Sequence, residues 1–182
     1  WCTANPKTHH LSLNHLHNAS HYLEQNSNAT SFLVVKDGYL VFEEYLQNNS
    51  SQDAVHIWSV TKSISSMLTG IAIQQGLIKE TNQPVKELLP ASFFYLRDER
   101  TRNISVGHIL TMSLGLEWSD GQEWVGWSRS RDWKANLLTK PQIHPPGTQF
   151  EYCTACSHLL SEIITSVSNR NTLDYAKEYL FT

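Results

Sequence analysis

Two short runs rich in β-branched and aromatic residues, 31–36 (Ser-Phe-Leu-Val-Val-Lys) and 39–46 (Tyr-Leu-Val-Phe-Glu-Glu-Tyr-Leu), flank the dipeptide Asp37-Gly38. A two-residue type I′ turn needs positive φ at both central positions, which Gly reaches without steric cost and Asp tolerates. The pattern therefore predicts a β-hairpin. Both strands are apolar on both faces near their centres, so the hairpin needs helices over at least one face. A two-stranded ribbon is marginal by itself, and most of the remaining periodic sequence is helical. That combination predicts an α+β fold with helices packed on an antiparallel sheet.

The helical segments follow from apolar spacing. Residues 9–25 carry Leu11, Leu13, Leu16, Tyr22 and Leu23 in a loose helical pattern after an irregular lead-in over 1–8. Ile64, Leu68 and Ile71 recur at helical spacing with Met67 on the flank, and Gly76 is suited to end that helix. Pro84 and Pro90 bracket a short helical turn, followed by an exposed charged loop holding Arg97, Asp98, Glu99, Arg100 and Arg102. Ser105 caps a helix running to Leu110 and Met112. Residues 131–139 read as a short helix, and 157–168 and 172–181 as two amphipathic ones. Residues 117–133 read as a long loop, with Trp118, Trp124, Trp127 and Trp133 set among Gly115, Gly121 and Gly126.

Composition narrows the function classes. The chain has 182 residues, 40% of them hydrophobic, which fits one domain, 1–182, with a core of its own. A formal net charge of -3 leaves no electrostatic footprint for nucleic acid. No apolar run has the length of a membrane span, so no integral membrane segment is expected. The first residue is Trp1 and no signal-peptide pattern follows it, which suggests a fragment or a processed product. Asn-x-Ser/Thr sequons occur at Asn18, Asn28, Asn48, Asn49 and Asn103, as an Asn- and Ser-rich surface produces by chance.

The predicted helix after the hairpin opens with His56-Ile57-Trp58-Ser59-Val60-Thr61-Lys62-Ser63. Ser59 and Lys62 are three apart and share a helix face. A serine hydroxyl is a weak nucleophile at neutral pH, and an unprotonated lysine amine beside it can take its proton. The helix N-terminus adds free backbone N–H groups where an oxyanion would form. Ser-x-x-Lys by itself recurs by chance, but two further motifs follow in order. These are Leu110-Thr111-Met112-x-x-Gly115-Leu116 and, after the Pro145-Pro146-Gly147 turn, Pro146-Gly147-Thr148-x-Phe150-x-Tyr152.

This ordered set resembles the serine β-lactamase-related hydrolases, which include class C β-lactamases, DD-peptidases and related esterases and amide hydrolases. The resemblance runs from about the hairpin to the last residue. It implies a β-lactamase/transpeptidase-like fold, with Ser59 as the acylated nucleophile and Lys62 activating it or holding its proton. It also implies Tyr152 as base or proton relay to the leaving group. A phenol beside an ammonium ionises more easily, because the positive charge favours the phenolate. The implied reaction is acyl transfer through a covalent acyl-enzyme with no cofactor, on a small ester, amide or peptide-like substrate. An extracytoplasmic or secreted setting is mildly favoured by the same resemblance.

Two departures matter. Thr154 stands where the family's Tyr-x-Asn motif has Asn, so the resemblance makes it a substrate-binding candidate, but it has no amide for a substrate carbonyl, which favours an esterase or amide hydrolase over β-lactam turnover. The family's later Lys-Thr-Gly or His-x-Gly strand has no counterpart, so the resemblance implies the N-terminal part of such a domain, truncated on its C-terminal side. A non-catalytic binding or sensor domain on the same fold, or an inactive fragment, is the alternative.

Other residues carry competing readings. Trp124 and Trp127 either wall a substrate pocket or bind a sugar, or they pin the loop to the body as ordinary packing. His17 and His21 share a helix face without a third ligand at supporting spacing, so a solvated polar face is the simpler reading and no metal is expected. Cys153-x-x-Cys156 lacks both a βαβ context for redox chemistry and a second pair for zinc, which leaves buried or incidental thiols. With Cys2, three cysteines form no even framework. His158 is either a base or a capping or packing residue.

Overall fold

The computed structural model describes residues 1–93 and 99–181, so Arg97 and Asp98 of the expected charged loop lie outside the described residues. The chain forms two compact units, Trp1–His56 and Ile57–Thr182.

The first unit is built on the hairpin. Strand β1 is Cys2–Thr3, β2 is Ser31–Lys36 and β3 is Tyr39–Tyr45. Asp37 and Gly38 take φ of 52° and 81°, the positive values the two-residue turn requires. β2 and β3 pair antiparallel, Lys36 opposite Tyr39, with an irregularity between Val34 and Val35. The lead-in is more ordered than its sequence suggests. β1 pairs with β3 in parallel, so the sheet is mixed, with order β1-β3-β2. A 3-10 turn follows at Pro6–His9, where Asn5 caps the first turn and His9 bonds Asp37 at 2.9 Å. Helix α1, Leu13–Asn26, lies against β3, with His17 edge-on to Phe42 and bonded to Glu44 at 2.8 Å. Val41, Phe42 and Leu46 are the buried apolar residues of this unit.

The second unit is helical. Helix α2 is Val60–Gln74, and Gly76, at φ 73°, ends it. Leu77 N–H donates to the Ala72 carbonyl and Gly76 N–H to Ile73, the paired bonds that close a helix on a left-handed glycine. Helices α3 (Val85–Leu88) and α4 (Pro90–Phe93) form the proline-bracketed segment, and a 3-10 turn covers Thr101–Asn103. Glu99 and Arg100 are exposed, and Glu99 pairs with Arg102 at 3.6 Å. Helix α5, Val106–Leu110, starts at a capping box in which Ser105 and His108 satisfy each other's backbone N–H. Helix α7 is Trp133–Leu138, α8 is Thr154–Ser168 and α9 is Thr172–Tyr179.

The expected tryptophan loop is not a loop throughout, because Asp120–Ser128 forms helix α6. Its two glycines each cost a helix about 1 kcal/mol relative to alanine, which hides it from propensity. Asp120 and Glu123 in its first turn oppose that cost by meeting the positive end of the helix dipole. α2 and α8 pack against each other at the centre of the unit. Leu68 and Ala72 of α2 and Leu159, Leu160, Ile163 and Ile164 of α8 are all buried there. Among the described residues no helix is long and apolar enough to cross a membrane.

Candidate active site

Ser59 caps the N-terminus of α2 without spending its side chain on a capping bond. Trp58, immediately before it, has φ 46°, a left-handed backbone that costs a non-glycine residue about 1–2 kcal/mol. The next amides close tightly, Thr61 N–H to Trp58 and Lys62 N–H to Ser59, both over three residues. Ser59 is thus exposed at a sharp turn at the head of a helix whose opposite side is core. Its own N–H meets no acceptor among the described residues.

Tyr152 arrives from a segment sewn to the turn that follows α5. Gly115 carbonyl accepts from Ile143 and His144 N–H at 2.9 and 3.0 Å. The buried Gln142 amide donates to the carbonyls of Leu114 and His144 at 2.7 and 2.6 Å. Gly147 N–H donates to Ser113 and Glu151 N–H to Met112, at 2.7 and 2.9 Å. Gly115 must be glycine for two reasons. Its φ is +75°, and a Cβ there would stand 2.1 Å from the His144 carbonyl oxygen. The second and third sequence motifs are therefore the two edges of one seam, which delivers Tyr152 to the mouth of α8.

The side chains converge on Ser59 Oγ. Lys62 Nζ donates to it at 2.9 Å and Tyr152 Oη at 2.8 Å. Lys62 also lies 5.1 Å from the centre of the Tyr152 ring. The hydrogen bond to Ser59, then the bond and charge of Lys62, hold the Tyr152 phenol below its ordinary ionisation range despite some opposing desolvation. Thr154, first residue of α8, accepts a further Lys62 bond at Oγ1, 3.2 Å.

Asp120, which sequence reasoning missed, completes the cluster. Its carboxylate accepts the Thr154 N–H at 2.8 Å, the Thr154 hydroxyl at 2.5 Å and the Trp118 indole N–H at 2.7 Å. Burial alone would push this carboxyl up. The bonds from Thr154 and Trp118 and the charge of Lys62 outweigh burial, and the group sits below the usual carboxylate range. The only signal in the sequence was an acidic residue among the tryptophans of a stretch that reads as a loop.

A cavity of about 490 Å3 adjoins the cluster, lined by Trp58, Ser59, Lys62, Asp120, Trp124, Trp127, Thr154 and His158 among others. Trp124 is half-exposed at its wall. Trp127 is both wall and pin: it is buried, edge-on to Trp118 and Trp133, and its indole donates to the Trp133 carbonyl at 3.0 Å. His158 does not cap a helix. Its ring packs on Trp133 at 4.4 Å, and partial desolvation holds it below its usual pKa, so it is neutral at pH 7.

The cysteines depart from expectation. Cys153 and Cys156 are buried and joined in a disulfide, leaving Cys2 free and exposed. Placing Cys153 at the N-cap of α8 and Cys156 in its first turn sets their Cα atoms 5.2 Å apart, within disulfide reach. Among the described residues no group of three metal-ligating side chains converges.

The family model described as Beta-lactamase matches residues 17–182. The chain belongs to the beta-lactamase family. A curated relative, 6-aminohexanoate-dimer hydrolase of Paenarthrobacter ureafaciens, is 24% identical over 177 residues, covering 87% of this chain and 44% of that protein. Among solved structures, the octameric penicillin-binding protein homologue from Pyrococcus abyssi superposes with TM-score 0.72 at 18% identity, over 94% of this chain and 42% of that one. EstCE1, described as a hydrolase with promiscuous acyltransferase activity, gives 0.67 at 16%, over 92% and 50%. The chain thus spans about half the length of the relatives it matches, and shares the fold of these solved structures over that part.

Proposed function

We propose that the protein is a serine hydrolase that cleaves small ester or amide substrates through an acyl-enzyme on Ser59. The observation that carries this reading is the convergence of Lys62 Nζ and Tyr152 Oη on Ser59 Oγ, at 2.9 and 2.8 Å. The hydrolases and penicillin-binding protein homologue among its relatives support the reaction class. Tyr152 as drawn donates to Ser59; once it has lost its proton, the bond reverses and the phenolate accepts the Ser59 hydroxyl proton. Ser59 Oγ then attacks the substrate carbonyl, the oxyanion meets the free Ser59 N–H, and Tyr152 passes its proton to the leaving oxygen or nitrogen. Water attacks the acyl carbon in the second half, Tyr152 takes the water proton, and Ser59 Oγ leaves reprotonated. Lys62 favours the phenolate through its bond and charge and orients Ser59.

The cavity beside Ser59, with Trp124 and Trp127 in its walls, suits an apolar acyl or leaving group. Thr154 cannot offer substrate an amide, and its hydroxyl is already committed, which favours plain esters and amides over β-lactams. The test is labelling of the full-length protein with a fluorophosphonate and a fluorescent penicillin. The expected result is fluorophosphonate adduct on Ser59, lost in Ser59→Ala. Absence of adduct with both reagents would end this reading.

A further inference from the structure

We propose that Asp120 is a positioning residue of this site, acting on Lys62 through the hydroxyl of Thr154; the inference rests on the reading of Ser59 as nucleophile. The Thr154 hydroxyl has one proton, and Asp120 Oδ2 takes it at 2.5 Å. Thr154 Oγ1 can then face Lys62 Nζ, 3.2 Å away, only as an acceptor. An ammonium has donors and no lone pair, so this is the polarity that lets Lys62 donate to Thr154 while it is aimed at Ser59, 2.9 Å further on. The second carboxylate oxygen is fixed independently by Thr154 N–H and the Trp118 indole, at 2.8 and 2.7 Å. Asp120 therefore sets the direction of a chain that runs Asp120, Thr154, Lys62, Ser59. Thr154 is a link in that chain and not a substrate contact.

Asp120→Asn separates this role from a structural one. The amide oxygen still accepts the Thr154 N–H and the Trp118 indole, so the start of α8 stays anchored. The NH2 group now faces Thr154 Oγ1 and cannot accept, so the hydroxyl turns its proton toward Lys62 and the chain is reversed. The readout is the second-order rate of fluorophosphonate labelling at Ser59 in the full-length protein, with thermal unfolding followed in parallel. Asp120→Asn and Thr154→Val are each expected to label about 10- to 100-fold more slowly, within the range of coupling seen between groups in one hydrogen-bond network. Thr154→Ser, which keeps the hydroxyl, should label at close to the wild-type rate. The double variant Asp120→Asn/Thr154→Val should be no slower than the slower single one. Wild-type labelling rates in Asp120→Asn, or losses that multiply in the double variant, would overturn the inference while leaving the Ser59 reading intact. Absence of labelling in the wild type overturns both.

Discussion

Tyr152 shows how one residue's surroundings become a pH profile. Its phenol is held below the ordinary tyrosine value of about 10 by its bond to Ser59 and by Lys62. A base that must be ionised to work gives a rate that is low on the acid side and rises as pH climbs through that depressed value. The Ser59 labelling rate is therefore expected to level off below the usual phenol range, and Tyr152→Phe to abolish that limb and slow labelling by about 100-fold or more. A rate that is flat with pH, or unchanged in Tyr152→Phe, would exclude Tyr152 as the base. Ser59, Lys62 and Tyr152 were legible in the sequence because each sits in a motif whose spacing carries a reason. Asp120 was not, because what it does depends on a fold that brings α6 beside the first residue of α8, and no local pattern announces such a meeting.

At the scale of elements, the seam between 112–116 and 142–151 does what a strand pair would do, with far less regular structure. Gly115 in this seam and Gly70 in α2 give predictions of opposite sign. Gly115→Ala puts a methyl 2.1 Å from a carbonyl oxygen at φ +75°, and is expected to cost more than about 2 kcal/mol, since strain and clash add. Gly70 lies inside α2 with nothing within 4 Å of its missing Cβ. Gly70→Ala should stabilise by about 0.5–1 kcal/mol through helix propensity alone. Urea unfolding of the two variants checks both, and equal shifts would disprove the distinction. The hairpin, α2, α5, α7 and the two last helices were legible from turn chemistry and apolar spacing. β1 was missed because two residues pairing in parallel leave no periodicity, and α6 because its glycines masked a helix that its acidic first turn favours.

At the scale of the molecule, the helical unit is organised by α2 against α8, so Ser59 at the head of α2 and Thr154 at the head of α8 sit on two helices packed against each other in its core. Ile163 has no exposed surface, and Ile163→Ala is expected to lower the unfolding free energy by about 2–5 kcal/mol, read as a lower urea midpoint. The family match over residues 17–182 agrees with the fold class read from the motifs, while the disulfide at the head of α8 was outside that reading. That cross-link has a consequence for motion. The first turn of a helix is ordinarily where it frays, opening and closing many times for each global unfolding. Cys153–Cys156 ties the N-cap of α8 to its first turn, and Tyr152 and Thr154 stand on either side of Cys153. The backbone on either side of Cys153 is thereby restricted in how far it can open locally. In hydrogen–deuterium exchange, the amides of Cys156 and Ser157, which donate to Cys153 Sγ at 3.0 Å and to the Cys153 carbonyl at 3.2 Å, should exchange more slowly while the cross-link is intact than in Cys153→Ala/Cys156→Ala.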